Sequence, residues 1–155
     1  MTSFKNRGDS SHSWLSIVLV VTQFALIALI MFTGPLWPTH WGLKGIMVLG
    51  GVIALWAFLA MGRGNIRAFP EIPQHGRLVV HGPYRWVRHP MYTSVLVFTL
   101  AWMIEHPLPF RMFLWGGLVV TLWVKLSYEE QLLLAQFPSY EQYRKGTKRL
   151  IPFLF

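Results

Sequence analysis

Two stretches of the chain, Trp14–Phe32 and Leu43–Met61, are apolar almost without interruption, and this leaves few folds open. A helix crosses about 30 Å of hydrocarbon at about 1.5 Å per residue, so about 20 apolar residues span a bilayer. Trp14–Phe32 meets that length with no charged residue. Leu43–Met61 meets it with Lys44 at its edge, where the ammonium can snorkel to the interface. A short turn rich in Pro, Trp and Gly joins them, and its Trp37 and Trp41 suit the membrane–water boundary. The first run is too long for the apolar region of a signal peptide. The Gly34-Pro35-Leu36-Trp37-Pro38 segment after it lacks a small-residue cleavage pattern, so an uncleaved first helix is expected.

Composition agrees. Only 13% of the residues are charged, against about 25% in a soluble domain. Cysteine is absent, which excludes disulfides and thiolate metal sites. His12, His40, His75, His81 and His106 show no metal-ligand spacing, so no metal is expected. A formal net charge of +8 would suggest nucleic acid as partner of a soluble protein. Here the basic residues flank apolar blocks, which points to anionic membrane lipids and away from nucleic acid. Lys5, Arg7, Arg63, Arg67, Arg77, Arg85, Arg88, Lys125, Arg144, Lys145, Lys148 and Arg149 fall on one side of the expected spans, and only Lys44 and Arg111 on the other. That asymmetry places both termini in the cytoplasm.

Two shorter apolar runs follow, Met91–Ile104 and Met112–Val124, separated by the reversal Glu105-His106-Pro107-Leu108-Pro109. They predict a hairpin. Its second arm has no breaker from Phe110 to Phe137, so one helix can leave the membrane and carry Lys125, Glu129 and Glu130 above it until Pro138 ends it. The expectation is an all-α polytopic membrane protein of about four transmembrane helices with a cytoplasm-facing pocket. It is read as a single domain over 1–155: transmembrane helices 14–32 and 43–61, a cytoplasmic loop 62–89, a helical hairpin with cytoplasmic extension 90–137, and a cytoplasmic tail 138–155.

Two constellations can carry chemistry. The loop 62–89 is long for so small a protein, and long loops are often functional. It contains Gly62-Arg63-Gly64 and ends in Gly82-Pro83-Tyr84-Arg85-Trp86-Val87-Arg88-His89-Pro90-Met91-Tyr92. Pro90 sits where a helix would start, a favoured place for proline, with His89 at the cap and Tyr92 in the first turn. A helix start offers free N–H groups and a positive dipole end. The other constellation is Glu129-Glu130. Adjacent helical residues point about 100° apart, so one can bind a cationic or hydroxyl group while the other takes an arginine. Lys125 lies one turn before Glu129, on the same face. Taken singly, each feature has a plainer reading: orientation charges for the arginines, a helix cap for His89, a surface ion pair for Lys125 and Glu129.

Together, the Gly82–Tyr92 segment, an apolar hairpin, Glu129-Glu130, Phe137-Pro138-Ser139-Tyr140-Glu141-Gln142-Tyr143 and Leu150-Ile151-Pro152-Phe153 resemble the isoprenylcysteine carboxyl methyltransferase family and, more distantly, phosphatidylethanolamine N-methyltransferase. The resemblance covers roughly Arg77 to Phe155. It implies an integral membrane methyltransferase that uses S-adenosylmethionine, with a lipid or lipophilic small molecule as substrate. It implies cofactor contacts from Tyr84, His89, Pro90, Met91, Tyr92 and Glu129, with Glu130 beside it and Leu78-Val79 contributing from the preceding segment. Gly62-Arg63-Gly64 is a weak match to a glycine element of the phospholipid enzyme. Some relatives carry a substrate-contacting arginine where this chain has Lys125, and lysine lacks the planar fork. Arg88 and Lys125 are the candidates for orienting an anionic acceptor. Methyl transfer requires alignment and desolvation more than acid or base, which fits a site with no nucleophile–base pair. Two other readings remain. Sterol reductases, which use reduced nicotinamide (NADPH), share a His-Pro-x-Tyr run and a Tyr-rich tail, and a non-enzymatic lipid-binding partner would need neither cofactor.

Overall fold

The computed structural model describes residues 14–62 and 77–152. Lys5, Arg7, Arg63, Gly64 and Arg67 therefore lie outside the described residues. The architecture is helical: α1 (Trp14–Phe32), α2 (Trp41–Met61), a 3-10 turn (Gly82–Arg85), α3 (Pro90–Glu105), α4 (Pro109–Gln136) and the short α5 (Tyr140–Gly146). Both α3 and α4 open on a proline, whose missing N–H is no loss in a first turn. The hairpin's second arm is one continuous helix of 28 residues. Among the described residues, α1, α2 and α4 are long and apolar enough to cross a membrane. The fourth, α3, has 16 residues, which gives about 24 Å and falls short of a full bilayer core.

The helices pack in two principal pairs, α2 along α3 and α1 along α4, with further contacts joining the pairs. A Cβ on Gly50 would stand 2.9 Å from the backbone nitrogen of Phe98, so the α2 and α3 backbones touch where only glycine fits. Ile30, Met47, Ala101, Trp102, Leu118 and Leu122, drawn from all four long helices, form the buried core. Outward, Val48, Val52, Leu55 and Leu59 make an exposed apolar stripe at helical spacing on α2, a face suited to lipid.

One end of the bundle is closed by polar stitches. Trp102 Nε1 donates to the Leu36 carbonyl at 2.9 Å, and Glu105 Oε1 accepts from Thr39 N at 2.8 Å and Thr39 Oγ1 at 2.5 Å. The buried Arg111 guanidinium donates to the Ile30 carbonyl at 2.9 Å. That carbonyl belongs to the negative end of the α1 dipole, which favours a cation. The opposite end holds the segment before α3 and both glutamates.

Candidate functional site

The floor of the site is a clamp between the loop, α2 and the tail. Gly82 has φ 61°, and a Cβ there would meet the Ala60 Cβ at 2.9 Å. Glycine alone allows this left-handed turn to lie on α2. Trp86 packs edge-on against Trp56 with ring centroids 5.5 Å apart. The tail then pairs with the segment before α3. Arg88 N donates to Lys148 O at 2.7 Å, Lys148 N to Trp86 O at 3.0 Å, and His89 N to Arg149 O at 3.1 Å. Thr93 Oγ1 donates to Leu150 O at 2.6 Å, and Tyr143 Oη to Tyr84 O at 2.7 Å. Burial first, with nearby charges modifying it, pushes the Tyr143 hydroxyl up to about 12, so it stays a donor at neutral pH.

The 28 residues of α4 give a length of about 42 Å, longer than the about 30 Å hydrocarbon core. The excess carries Glu129 and Glu130 to the base of α3, where their different directions separate their partners. Glu130 accepts from Arg88 Nε at 2.7 Å and lies 3.1 Å from Arg149 Nη2. Arg88 Nη1 also donates to the carbonyls of Arg144 and Thr147. Glu129 turns the other way and accepts from Tyr92 Oη at 2.9 Å. The buried His89 ring lies between the carboxylates, with Nδ1 3.6 Å from Glu129 Oε2 and Nε2 3.4 Å from Glu130 Oε1. These are ion-pair distances, too long or misaligned for good hydrogen bonds. The ring stacks on Tyr92 with centroids 5.4 Å apart. Burial disfavours charge on His89, but the two carboxylates outweigh it and hold the imidazole above the usual histidine range.

A cavity of about 410 Å³ opens beside this cluster. Tyr84, His89, Met91, Tyr92, Lys125 and Glu129, all expected from the sequence, border it together, and Arg88 reaches its edge. Tyr84 Oη is buried and has no hydrogen-bond partner among the described residues. Burial, then the charge of Glu129, raises its pKa well above the usual tyrosine range, so it remains protonated. Lys125 is buried, donates to Gln23 Oε1 at 2.8 Å, and stands 5.4 Å over the Tyr92 ring.

The other expected residues stand elsewhere. Pro90 is buried at the first position of α3 and does not border the cavity. Glu130 is taken up by Arg88 and Arg149, so it braces the wall from behind. Arg88, by contrast, borders the cavity and at the same time pairs with Glu130 and donates to two tail carbonyls. Leu78 borders a second, more open groove formed with the tail, and Val79 borders neither.

Sequence reasoning missed the wall formed by α1 and α2, namely Gln23, Phe24, Ile27, Ala54, Phe58 and Met61. Gln23 left a signal: it is an amide in the middle of an apolar span, and polar groups in such spans usually mark a site.

The chain is similar to several known proteins. Protein-S-isoprenylcysteine O-methyltransferase A of Arabidopsis thaliana is 26% identical over 151 aligned residues, covering 94% of this chain and 76% of its own. Protein-S-isoprenylcysteine O-methyltransferase B of the same plant is 25% identical over 152, with the same coverage of 94% and 76%. The solved structure of the eukaryotic intramembrane Ras methyltransferase ICMT (isoprenylcysteine carboxyl methyltransferase) shares the fold, with a TM-score of 0.58 at 23% identity over 93% of this chain. The chain spans about half, 54%, of that enzyme's length. The model of the phospholipid methyltransferase family matches residues 38–139, from the start of α2 through α4. With that match extending over more than half of its length, the chain belongs to the phospholipid methyltransferase family.

Proposed function

We propose that the chain transfers a methyl group from S-adenosylmethionine to a lipophilic or amphiphilic acceptor, with the cavity at the base of α3 holding both reactants. The observation that carries this reading is the convergence of Tyr84, His89, Tyr92 and Glu129, from three separate elements, on one cavity of about 410 Å³. That volume lies in the range usual for small-molecule sites. The residues present fit the cofactor: a carboxylate for a ribose hydroxyl or amino group, two tyrosine rings for adenine, and an unpartnered buried hydroxyl on Tyr84. When bound, the cofactor supplies an electrophilic methyl carbon on a positively charged sulfur.

Each side chain then has a task in binding or alignment. Glu129, oriented by Tyr92, accepts hydrogen bonds from the nucleoside or the amino end. His89 and the start of α3 fix the methionine end. Tyr84 Oη remains a donor because burial keeps it protonated. Lys125 orients an anionic group of the acceptor. Phe24, Ile27 and Val95 line an apolar side through which a lipophilic acceptor can reach the cavity from the bilayer. No acid–base pair is required, because alignment and exclusion of water supply the acceleration. The names of the plant relatives suggest a prenylated cysteine as one acceptor to try, and the family's name suggests a phospholipid. The site end faces the cytoplasm in this reading. Arg77, Arg85, Arg144, Lys145, Lys148 and Arg149 belong to the segments at that end, and Lys44 and Arg111 to the other.

The test is incubation of the purified chain with methyl-labelled S-adenosylmethionine, a membrane lipid extract and an S-prenylated cysteine. Label should move into a lipid-soluble product. Failure to label either acceptor pool, with relatives labelled in parallel, would remove the proposal.

A further inference from the structure

The family match begins at residue 38 and so leaves out α1, yet α1 builds one wall of the cavity. Its contribution is apolar except for Gln23. This amide is 7% exposed, and its Oε1 accepts from Lys125 Nζ at 2.8 Å. The same ammonium sits 5.4 Å over the Tyr92 ring, so Gln23 fixes the cation directly above the aromatic side chain that orients Glu129. An amide and a carboxylate at this place would make nearly the same contact, but their electrostatics differ. Among the described residues the amide leaves Glu129 as the one carboxylate lining the cavity with the ammonium, whereas a second carboxylate at position 23 would outweigh the cation and repel any anion brought near. In a buried wall that difference is large, because charges there are poorly screened.

We infer that Gln23 is a specificity-determining residue that keeps Lys125 competent to receive an acceptor bearing an anionic oxygen headgroup, a carboxylate or a phosphate, on an apolar chain. The inference rests on the methyl-transfer reading for the word acceptor. The selectivity it assigns to the α1 wall is measurable without turnover. Phe24 and Ile27, one residue and one turn along α1, border the same cavity and suit the apolar chain of such a molecule.

The experiment uses the full chain in a non-ionic detergent, with native mass spectrometry reading the retention of dodecanoate, dodecyl phosphate and dodecanol. Calorimetry with S-adenosylmethionine is run on the same preparations. The wild type should retain at least one anion about tenfold better than dodecanol, an effect of the size of one charge-assisted hydrogen bond. Whichever anion is held more tightly names the headgroup. Gln23→Leu should weaken that preference, and Gln23→Glu, which preserves the contact to Lys125, should abolish it. Because Gln23 borders the same cavity as Glu129, each variant's anion preference is read against its own dodecanol retention and not against its cofactor affinity. If Gln23→Glu keeps the anion preference, the amide merely ties α1 to α4 and the inference is overturned. It is also overturned if either variant changes dodecanol retention as much as that of the anions. A wild type that binds S-adenosylmethionine but shows no anion preference overturns this inference alone. A wild type with the preference and no cofactor affinity upholds the α1 wall and overturns the methyl-transfer reading.

Discussion

Tyr92 Oη donates a 2.9 Å hydrogen bond to Glu129 Oε2, tying the first turn of α3 to the protruding end of α4. The bond sets the direction of the carboxylate at the cavity wall, and His89 stacks on the same tyrosine ring. Tyr92→Phe keeps the ring and the stacking and removes only the donor. A hydrogen bond to a charged group contributes about 1.5–3 kcal/mol, so S-adenosylmethionine should bind about tenfold or more weakly. Calorimetry on the variant checks this. The melting temperature should move little by comparison.

Arg88 has a different task. It neutralises the buried Glu130 and holds the tail through the carbonyls of Arg144 and Thr147. Removing one partner of a buried pair typically costs about 3–5 kcal/mol, of which Arg149, 3.1 Å from Glu130, offsets a part here. Arg88→Ala should therefore lower the melting temperature sharply and make the tail sensitive to protease. Arg88→Lys should recover only part of the loss, because lysine lacks the fork that reaches a carboxylate and two carbonyls together. Limited proteolysis followed by mass spectrometry distinguishes the three proteins.

Much of this was legible in the sequence, for identifiable reasons. Apolar runs and prolines define the helices because hydrocarbon thickness and the missing proline N–H act locally. The division of labour between Glu129 and Glu130 follows from the 100° step of a helix. What the sequence did not reveal depends on contacts between distant segments. Arg88 reads as a candidate for substrate, and only the tail's return beneath the loop shows that its guanidinium also holds the tail. Gln23 sits in an anchor-like span, and only the antiparallel packing of α1 on α4 brings it to Lys125. Arg111 reads as an orientation charge and is in fact buried against the end of α1.

His89 links the site to pH. Its folded-state pKa lies above the ordinary value because Glu129 and Glu130 outweigh burial. Protonation therefore stabilises the fold, fully so below the unfolded value of about 6.5. That contribution is lost as pH rises through the folded-state value. The melting temperature of the wild type should fall as pH is raised above about 6.5, and His89→Gln should flatten that decline. Differential scanning calorimetry across the neutral and mildly alkaline range measures both slopes.

Gly82 carries the clamp between loop and α2. Gly82→Ala forces a side chain into φ 61° and a 2.9 Å approach to the Ala60 Cβ. A loss of about 1 kcal/mol or more is expected from the backbone strain alone. Thermal melting of the purified variant gives the value, and Gly45→Ala, inside α2 where a Cβ meets nothing within 4 Å, serves as the control that should hold or raise stability.

The central claim is that the cavity beside Glu129 is the cofactor site, and calorimetric titration of wild type and Glu129→Gln with S-adenosylmethionine tests it most directly. The account predicts saturable one-to-one binding to the wild type and loss of that binding in the variant, with the variant's melting temperature showing that it is still folded. Equal affinity in the two proteins, or a wild type that binds reduced nicotinamide and not S-adenosylmethionine, would contradict it.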